Sequence, residues 1–378
     1  MTVQQKLSLP FADPIAVDVQ LRIHAAGTGY DAYIQAGVSS RHPLEIGIAQ
    51  GDIKDLNGEL QAALQNLQSA FDAGHTDKKE QDQTLLTLSK MGRSAFNKIF
   101  RRGPARDLVR QALRKARTIQ ITSQEFLLPW EVLYDMPVSK RTDVQGFWGM
   151  RYNLSRFLPQ HSRPGDFVSA AIHHKRPRIA MVTNKELHKV FLRELPAMRR
   201  LHKQKIIELD LLRALEPANS EDELETFGRF IGEDREIVHF ACHAFDREPS
   251  SQSLLQVDDA FNISIENFST YEFKVTSFPL VILNACRTGT TDPTKTTNWA
   301  SQFWDCGARG VLATEFRVSD DFAADFIGEL YKRMIVKKRR QDLGASLLST
   351  RHYFWNRYSN PLGLAYALYA SPDIRFVS

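Results

Sequence analysis

A chain of 378 residues can bury a large core, and 43% hydrophobic with 25% charged residues excludes wholesale disorder. The formal charge of +5 is the small difference between 49 basic and 44 acidic side chains, so bulk charge does not mark a nucleic-acid partner. Three cysteines, Cys242, Cys286 and Cys306, are too few and too poorly spaced for a disulfide framework or a zinc site, as expected of a reducing cytoplasm. The opening Met1 to Pro10 lacks the apolar centre of a signal peptide and no run approaches the ~18 apolar residues of a bilayer span, so no membrane partner is expected.

From Ile15 to Ile48, alternation such as Val17-Asp18-Val19-Gln20-Leu21-Arg22-Ile23, punctuated by Gly27, Gly29 and Gly37, predicts two or three strands with tight turns. At Ile53 the period changes. Leu56, Leu60, Leu64, Leu67 and Phe71 predict an amphipathic helix ending near Gly74, and a polar stretch leads to a second helix with Leu85, Leu88, Phe96, Ile99 and Phe100. Pro104 suits the first position of a short helix reaching Lys115. Basic residues crowd here, among them Arg93, Arg102, Arg106, Arg110 and Arg114; without interleaved stacking platforms they read as a solvated helix face.

Thr118 to Ile121 is a predicted strand, followed by Leu128-Pro129-Trp130-Glu131, where Pro129 restricts its predecessor and Trp130 brings a large apolar surface: the composition of a packing corner. A carboxylate beside that tryptophan needs a partner if buried, and one role open to Glu131 is to orient a catalytic imidazole. Residues 1–150 form a first half, and 151–176 read as linker and edge material. His161, His173 and His174 in that segment have no cysteine or carboxylate cluster to complete a metal site.

From Pro177 onward strands and helices alternate: a strand to Thr183, a helix from Lys185 to Lys203, a strand over Ile206 to Leu209 and a helix over Leu224 to Ile231. This order predicts an α/β fold with a doubly wound, mostly parallel sheet flanked by helices over 177–378. No Gly-x-Gly-x-x-Gly or Walker-type loop follows these strands, which weakens a nucleotide-binding reading, and no cofactor is expected.

The next two strands carry the chemistry. Glu236-Ile237-Val238-His239-Phe240-Ala241-Cys242-His243-Ala244 and Leu280-Val281-Ile282-Leu283-Asn284-Ala285-Cys286-Arg287-Thr288-Gly289 are apolar, β-branched runs that end in His243 and Cys286. Sites of open α/β sheets form beyond the carboxyl ends of the strands, so the two side chains can meet. A thiol attacks as its thiolate, only a few per cent populated near pH 7 at an ordinary pKa of ~8.5. A neighbouring imidazole takes the proton and can later give it to a leaving amine. This pattern makes Cys286 a nucleophile and His243 its general acid/base. By strand alternation Cys242 faces away from His243, while His239 shares its face as a buried, hydrogen-bonded residue. Arg287 to Thr297 has the composition of a surface loop; Asn298 could cap a helix from Trp299 to Cys306, Ala308 to Thr314 is a strand, helices cover Asp320 to Met334 and Gln341 to Trp355, and Leu362 to Tyr369 forms an edge strand.

His-Phe-Ala-Cys-His-Ala followed by Leu-Asn-Ala-Cys-Arg-Thr-Gly resembles the catalytic core of CHAT proteases, the caspase-like cysteine peptidases related to separase, caspases and gingipains. Leu128 to Asp135, Gly307 to Thr314 and Phe316 to Asp320 match in the family's order. The resemblance implies an N-terminal pseudo-caspase-like half and a C-terminal catalytic half. It also implies an oxyanion hole built from the backbone N–H groups of Ala244 and Cys286, and a substrate pocket for which Glu315, Arg317 and Asp320 are candidates. The family usually carries Gly after the histidine, so Ala244 would be strained if that backbone needs φ > 0. The implied function is an intracellular cysteine endopeptidase acting on a dedicated protein substrate, triggered by a separate activator or sensor protein, in bacterial defence or cell death. A catalytically weak scaffold of the same fold is the alternative, and an acyltransferase would share the dyad.

Overall fold

Strand β1 (Val19–Ala26) turns through Gly27, at φ +59°, into β2 (Gly29–Ala36), and the pair runs antiparallel from Gln20 opposite Gln35 to Ala26 opposite Gly29. The computed structural model describes residues 17–36, 38–39, 44–72, 77–123, 126, 128–140, 142–157, 169–184, 186–215, 220–245, 253–258, 261–284, 299–336 and 341–377. Short strands β3 (Val38–Ser39) and β4 (Leu44–Ile46) both pair with β2. Helix α1 (Ile53–Asp72) then packs against α2 (Lys78–Ile99), whose N-cap Asp77 accepts from the Lys79 N–H. Helix α3 (Pro104–Leu113) has its proline at the first position, where a missing N–H costs nothing. Strand β5 (Thr118–Ser123), helix α4 (Trp148–Arg151) and strand β6 (Asn153–Phe157) complete this half in the order β3-β2-β1-β5-β6, with β1, β5 and β6 parallel. The sheet thus runs through Phe157, taking in the strand that the sequence placed in edge material.

The second half opens with β7 (Ala171–His173), β8 (Arg178–Thr183), a π-helical turn over Val190–Glu194 that leads into α5 (Leu195–Lys203), β9 (Glu208–Leu211) and α6 (Ser220–Gly232). Strand β10 (Ile237–Ala241) precedes a three-stranded antiparallel sheet of β11 (His243–Phe245), β12 (Leu254–Asp258) and β13 (Phe261–Ser264). After α7 (Ile265–Thr270) come β14 (Leu280–Leu283), α8 (Trp299–Asp305), β15 (Gly310–Thr314), α9 (Asp320–Ile335), α10 (Leu343–Tyr358), β16 (Tyr366–Ala370) and β17 (Arg375–Val377). The main sheet has the order β16-β15-β14-β10-β8-β9, parallel throughout except for β16. Strands β8, β10, β14 and β15 are buried along their centres, and one apolar layer lies on each face of the sheet, as expected where helices cover both sides. This is the doubly wound α/β sheet that the alternation of elements predicts.

Three local differences matter for the site. The run from Glu236 to Ala244 is not one strand: β10 stops at Ala241, Cys242 bends the chain, and His243 starts β11 in another sheet. Strand alternation therefore does not carry from His239 to His243. The β12–β13 hairpin, absent from the sequence reading, pairs with β11. Finally, β16 ends its sheet but is fully buried, because β6 of the other half lies against it.

Candidate active site

His243 is the second residue beyond the carboxyl end of β10, half-buried and paired with Gln256 of β12; its ring lies 6.2 Å from that of Phe245. Asn184, at the end of β8, fixes this corner. Its N–H donates to Ala241 O (3.0 Å) and its Nδ2 to Gln256 O (3.1 Å), joining the end of β10 to β12. Strand β14 runs beside β10 in parallel register, Phe240 opposite Leu283, and the Asn284 N–H donates to Phe240 O at 2.9 Å. The chain therefore leaves β10 and β14 at the same end of the sheet. Residues 285–298, with Cys286, lie outside the described residues, as does the Asn298 cap.

Ala244 is a strand residue opposite Leu255, and the non-glycine residues with positive φ among those described are Lys205, Glu272, Phe278 and Ser359. The backbone at 244 thus makes no demand for glycine. The other two thiols are sequestered: Cys242 is 2% exposed and sits in the core, and burial pushes Cys306 up to about 11.

Under the strand ends lies a buried polar chain that the sequence reading did not name beyond His239. His239 Nδ1 lies 3.0 Å from Tyr331 Oη, and its Nε2 lies 2.6 Å from Glu194 Oε1, in a contact too oblique for a linear hydrogen bond. The Glu194 carboxylate accepts from Asn284 Nδ2 at 3.0 and 3.2 Å, and Tyr366 Oη donates to Asn284 Oδ1 at 2.7 Å. Burial, reinforced by the Glu194 carboxylate, holds the Tyr331 phenol well above its ordinary range. Glu194 stands at the apolar stripe of its helix, four residues after Val190 and four before Met198, both buried. A carboxylate on such a stripe is the signal that could have found it.

The remaining predicted residues fall elsewhere. Glu131 and Glu315 are both buried and both bind Arg156 of β6: Nη2 contacts Glu131 Oε2, Nη1 contacts Glu315 Oε1, and Nη2 reaches Glu315 Oε2 at 2.8 Å. Tyr369 Oη donates to Glu315 Oε1 at 2.9 Å, and Arg351 Nη2 lies 3.8 Å from Glu131 Oε1. Glu131, considered as an orienting group for the imidazole, thus pairs with Arg156, while the carboxylate that touches an imidazole of β10 is Glu194. Arg317 is exposed just after β15, and Asp320 opens α9 half-buried. Among the described residues no group of three or more His, Cys, Asp or Glu could hold a metal ion, and no helix is long and apolar enough to cross a membrane.

A model of the CHAT domain matches residues 92–352, beginning well before the Leu-Pro-Trp-Glu corner. A protein named "Probable protease" from Vitiosangium sp. (strain GDMCC 1.1324) is 26% identical over 251 residues, covering 62% of this chain and 31% of that protein. The crystal structure of the Saccharomyces cerevisiae separase–securin complex at 2.6 Å superposes with a TM-score of 0.54 and 12% identity, over 95% of this chain and 30% of that one. A second structure of that complex, at 3.0 Å, gives a TM-score of 0.52 and 11% identity, over 93% and 30%. The chain thus spans less than a third of the length of these relatives, and at such identity the likeness to separase is one of fold. With the family match covering well over half of its length, and with a caspase-like sheet arrangement shared with separase, this chain belongs to the CHAT-domain family.

Proposed function

We propose that the chain is a cysteine endopeptidase in which Cys286 attacks the scissile carbonyl and His243 takes the thiol proton and returns it to the leaving amine. The observation that carries this reading is the common exit of β10 and β14: His243 lies one bend past β10, and the sequence after the Leu283 end of β14 reads Asn-Ala-Cys. In this mechanism the thiolate adds to the carbonyl carbon, the backbone N–H groups of Ala244 and Cys286 hold the oxyanion, and collapse of the tetrahedral intermediate expels the amine protonated by His243. Water then hydrolyses the thioester with the same imidazole as base. Arg317 and Asp320, near the end of β15, are the accessible candidates for the substrate pocket, whereas the buried pairing of Glu315 with Arg156 fits an architectural role. The substrate is a dedicated protein, the trigger a separate activator or sensor protein, and the setting bacterial defence or regulated cell death inside the cell.

The test is co-expression of the wild type, Cys286→Ala and His243→Ala with the proteins encoded beside the chain, reading new N-termini by mass spectrometry. A new N-terminus present only with the wild type is expected, and either variant cleaving like the wild type overturns the dyad. Alkylation adds a substrate-free measure: an activated Cys286 reacts faster than Cys242 and Cys306, the first 2% exposed and the second pushed up to about 11 by burial. Equal rates would favour the scaffold reading.

A further inference from the structure

The buried chain beneath the strand ends has no role in the dyad chemistry, yet it contacts His239 of β10 and Asn284 at the end of β14, the strands that precede His243 and Cys286 in the sequence. We propose that Glu194 is a positioning residue: its carboxylate couples β10, the strand that leads to His243 through the bend at Cys242, to the segment that leads to Cys286. This deepens the endopeptidase reading and rests on it.

The argument starts from cost. A carboxylate that is 1% exposed forfeits its hydration and is retained only where its oxygens find donors. Here the donor is Asn284 Nδ2, against both oxygens, and His239 Nε2 stands against one of them. His239 is in the middle of β10, four residues before His243; Asn284 is the first residue past β14, two before Cys286. The carboxylate comes from a π-helical turn in which Glu194 is buried, and such turns are frequent at functional sites.

Asn284 is held by three handles: its N–H by Phe240 O, its Nδ2 by Glu194, its Oδ1 by the Tyr366 hydroxyl. The tyrosine ring is itself stacked on Phe326, centroids 4.3 Å apart and 10° from parallel. Asn284, just past the end of β14, is therefore held at its backbone and at both ends of its side-chain amide, and misplacement of a reacting group by about 1 Å can cost about a hundredfold in rate.

The hydrogen-bond polarity supplies the test. Glu194→Gln brings an amide donor against the Asn284 donor, and Asn284→Asp brings a second carboxylate against Glu194. In the double variant the introduced amide can donate to the introduced carboxylate, whose other oxygen leaves Tyr366 its acceptor. The readout is iodoacetamide alkylation of Cys286 by peptide mass spectrometry from about pH 5 to about pH 9, with Cys242 and Cys306 as internal references.

The wild-type midpoint for Cys286 is expected below ~8.5, each single variant is expected to raise it by about one unit, and the double variant is expected to return it. Simple electrostatics predicts the opposite sign for Glu194→Gln, since removing a buried negative charge alone would stabilise a thiolate. Partial unfolding would speed all three thiols together. A wild-type Cys286 no more reactive than its references overturns the endopeptidase reading. An activated wild type whose midpoint stays or falls in Glu194→Gln, or is not recovered in the double variant, overturns the positioning role alone.

Discussion

Glu315 shares the guanidinium of Arg156 with Glu131 and also accepts from the Tyr369 hydroxyl. Burial raises Glu315 to about 7, the Arg156 charge opposes that rise and the Glu131 carboxylate adds to it. Between the ordinary glutamate value of ~4.3 and about 7, the folded chain holds this proton more tightly than the unfolded one. Its contribution to stability is thus complete below the ordinary value and is lost as pH rises through about 7, with a slope of at most about 1.4 kcal/mol per pH unit. Urea midpoints measured across this window should fall with rising pH in the wild type, and Glu315→Gln should flatten that trend. Arg156→Met should cost about 3–5 kcal/mol at neutral pH, because it strands two buried carboxylates; the unfolding free energy in urea would show it. Neither partner set could be read from the sequence, since Arg156 and Glu315 are joined only by tertiary folding. Glu194 was closer to legible, as a charge standing on an otherwise apolar helical stripe.

At the scale of elements, period and punctuation carried most of the reading. The helices at 53–72 and 78–99, the proline-started α3 and the parallel strands of the second half all form where apolar spacing places them. The hairpin at 254–264 was missed although its two short runs alternate, Leu255 and Val257 buried in one strand, Phe261 and Ile263 in the other. The bend at Cys242 left no local sign, because β-branched and aromatic residues continue up to it and the break is imposed by pairing with β12. Two helical glycines give opposite predictions. A Cβ at Gly92 of α2 would lie 2.1 Å from Val132 O, so Gly92→Ala should destabilise by about 2–3 kcal/mol despite the better helix propensity of alanine. At Gly58 of α1 nothing lies within 4 Å of such a Cβ, and Gly58→Ala should stabilise by about 0.5–1 kcal/mol. Thermal and urea unfolding of the two variants would check both signs.

For the whole molecule, one apolar layer runs from Val19 and Phe96 in the first half to Leu312, Phe326 and Phe376 in the second. Arg351 of α10 donates to carbonyls on both sides, Gly149 at 2.8 Å and Gly363 at 3.0 Å. Such a shared core predicts a single unfolding transition. Variants that keep only Trp130 and Trp148 as fluorophores, or only Trp299 and Trp304, should show the same urea midpoint; two separated midpoints would mean that the halves fold independently. No local signal in the sequence marks this union, because the strands that meet, β6 and β16, are 213 positions apart at their starting residues, 153 and 366.

The meeting of β6 with β16 has a further consequence for association. Because both strands belong to one polypeptide, each half meets the other at an effective concentration set by the connecting chain, of millimolar order for short tethers, rather than by how much protein is present. Dilution cannot separate them, so the contact between β6 and β16 persists whatever the protein concentration.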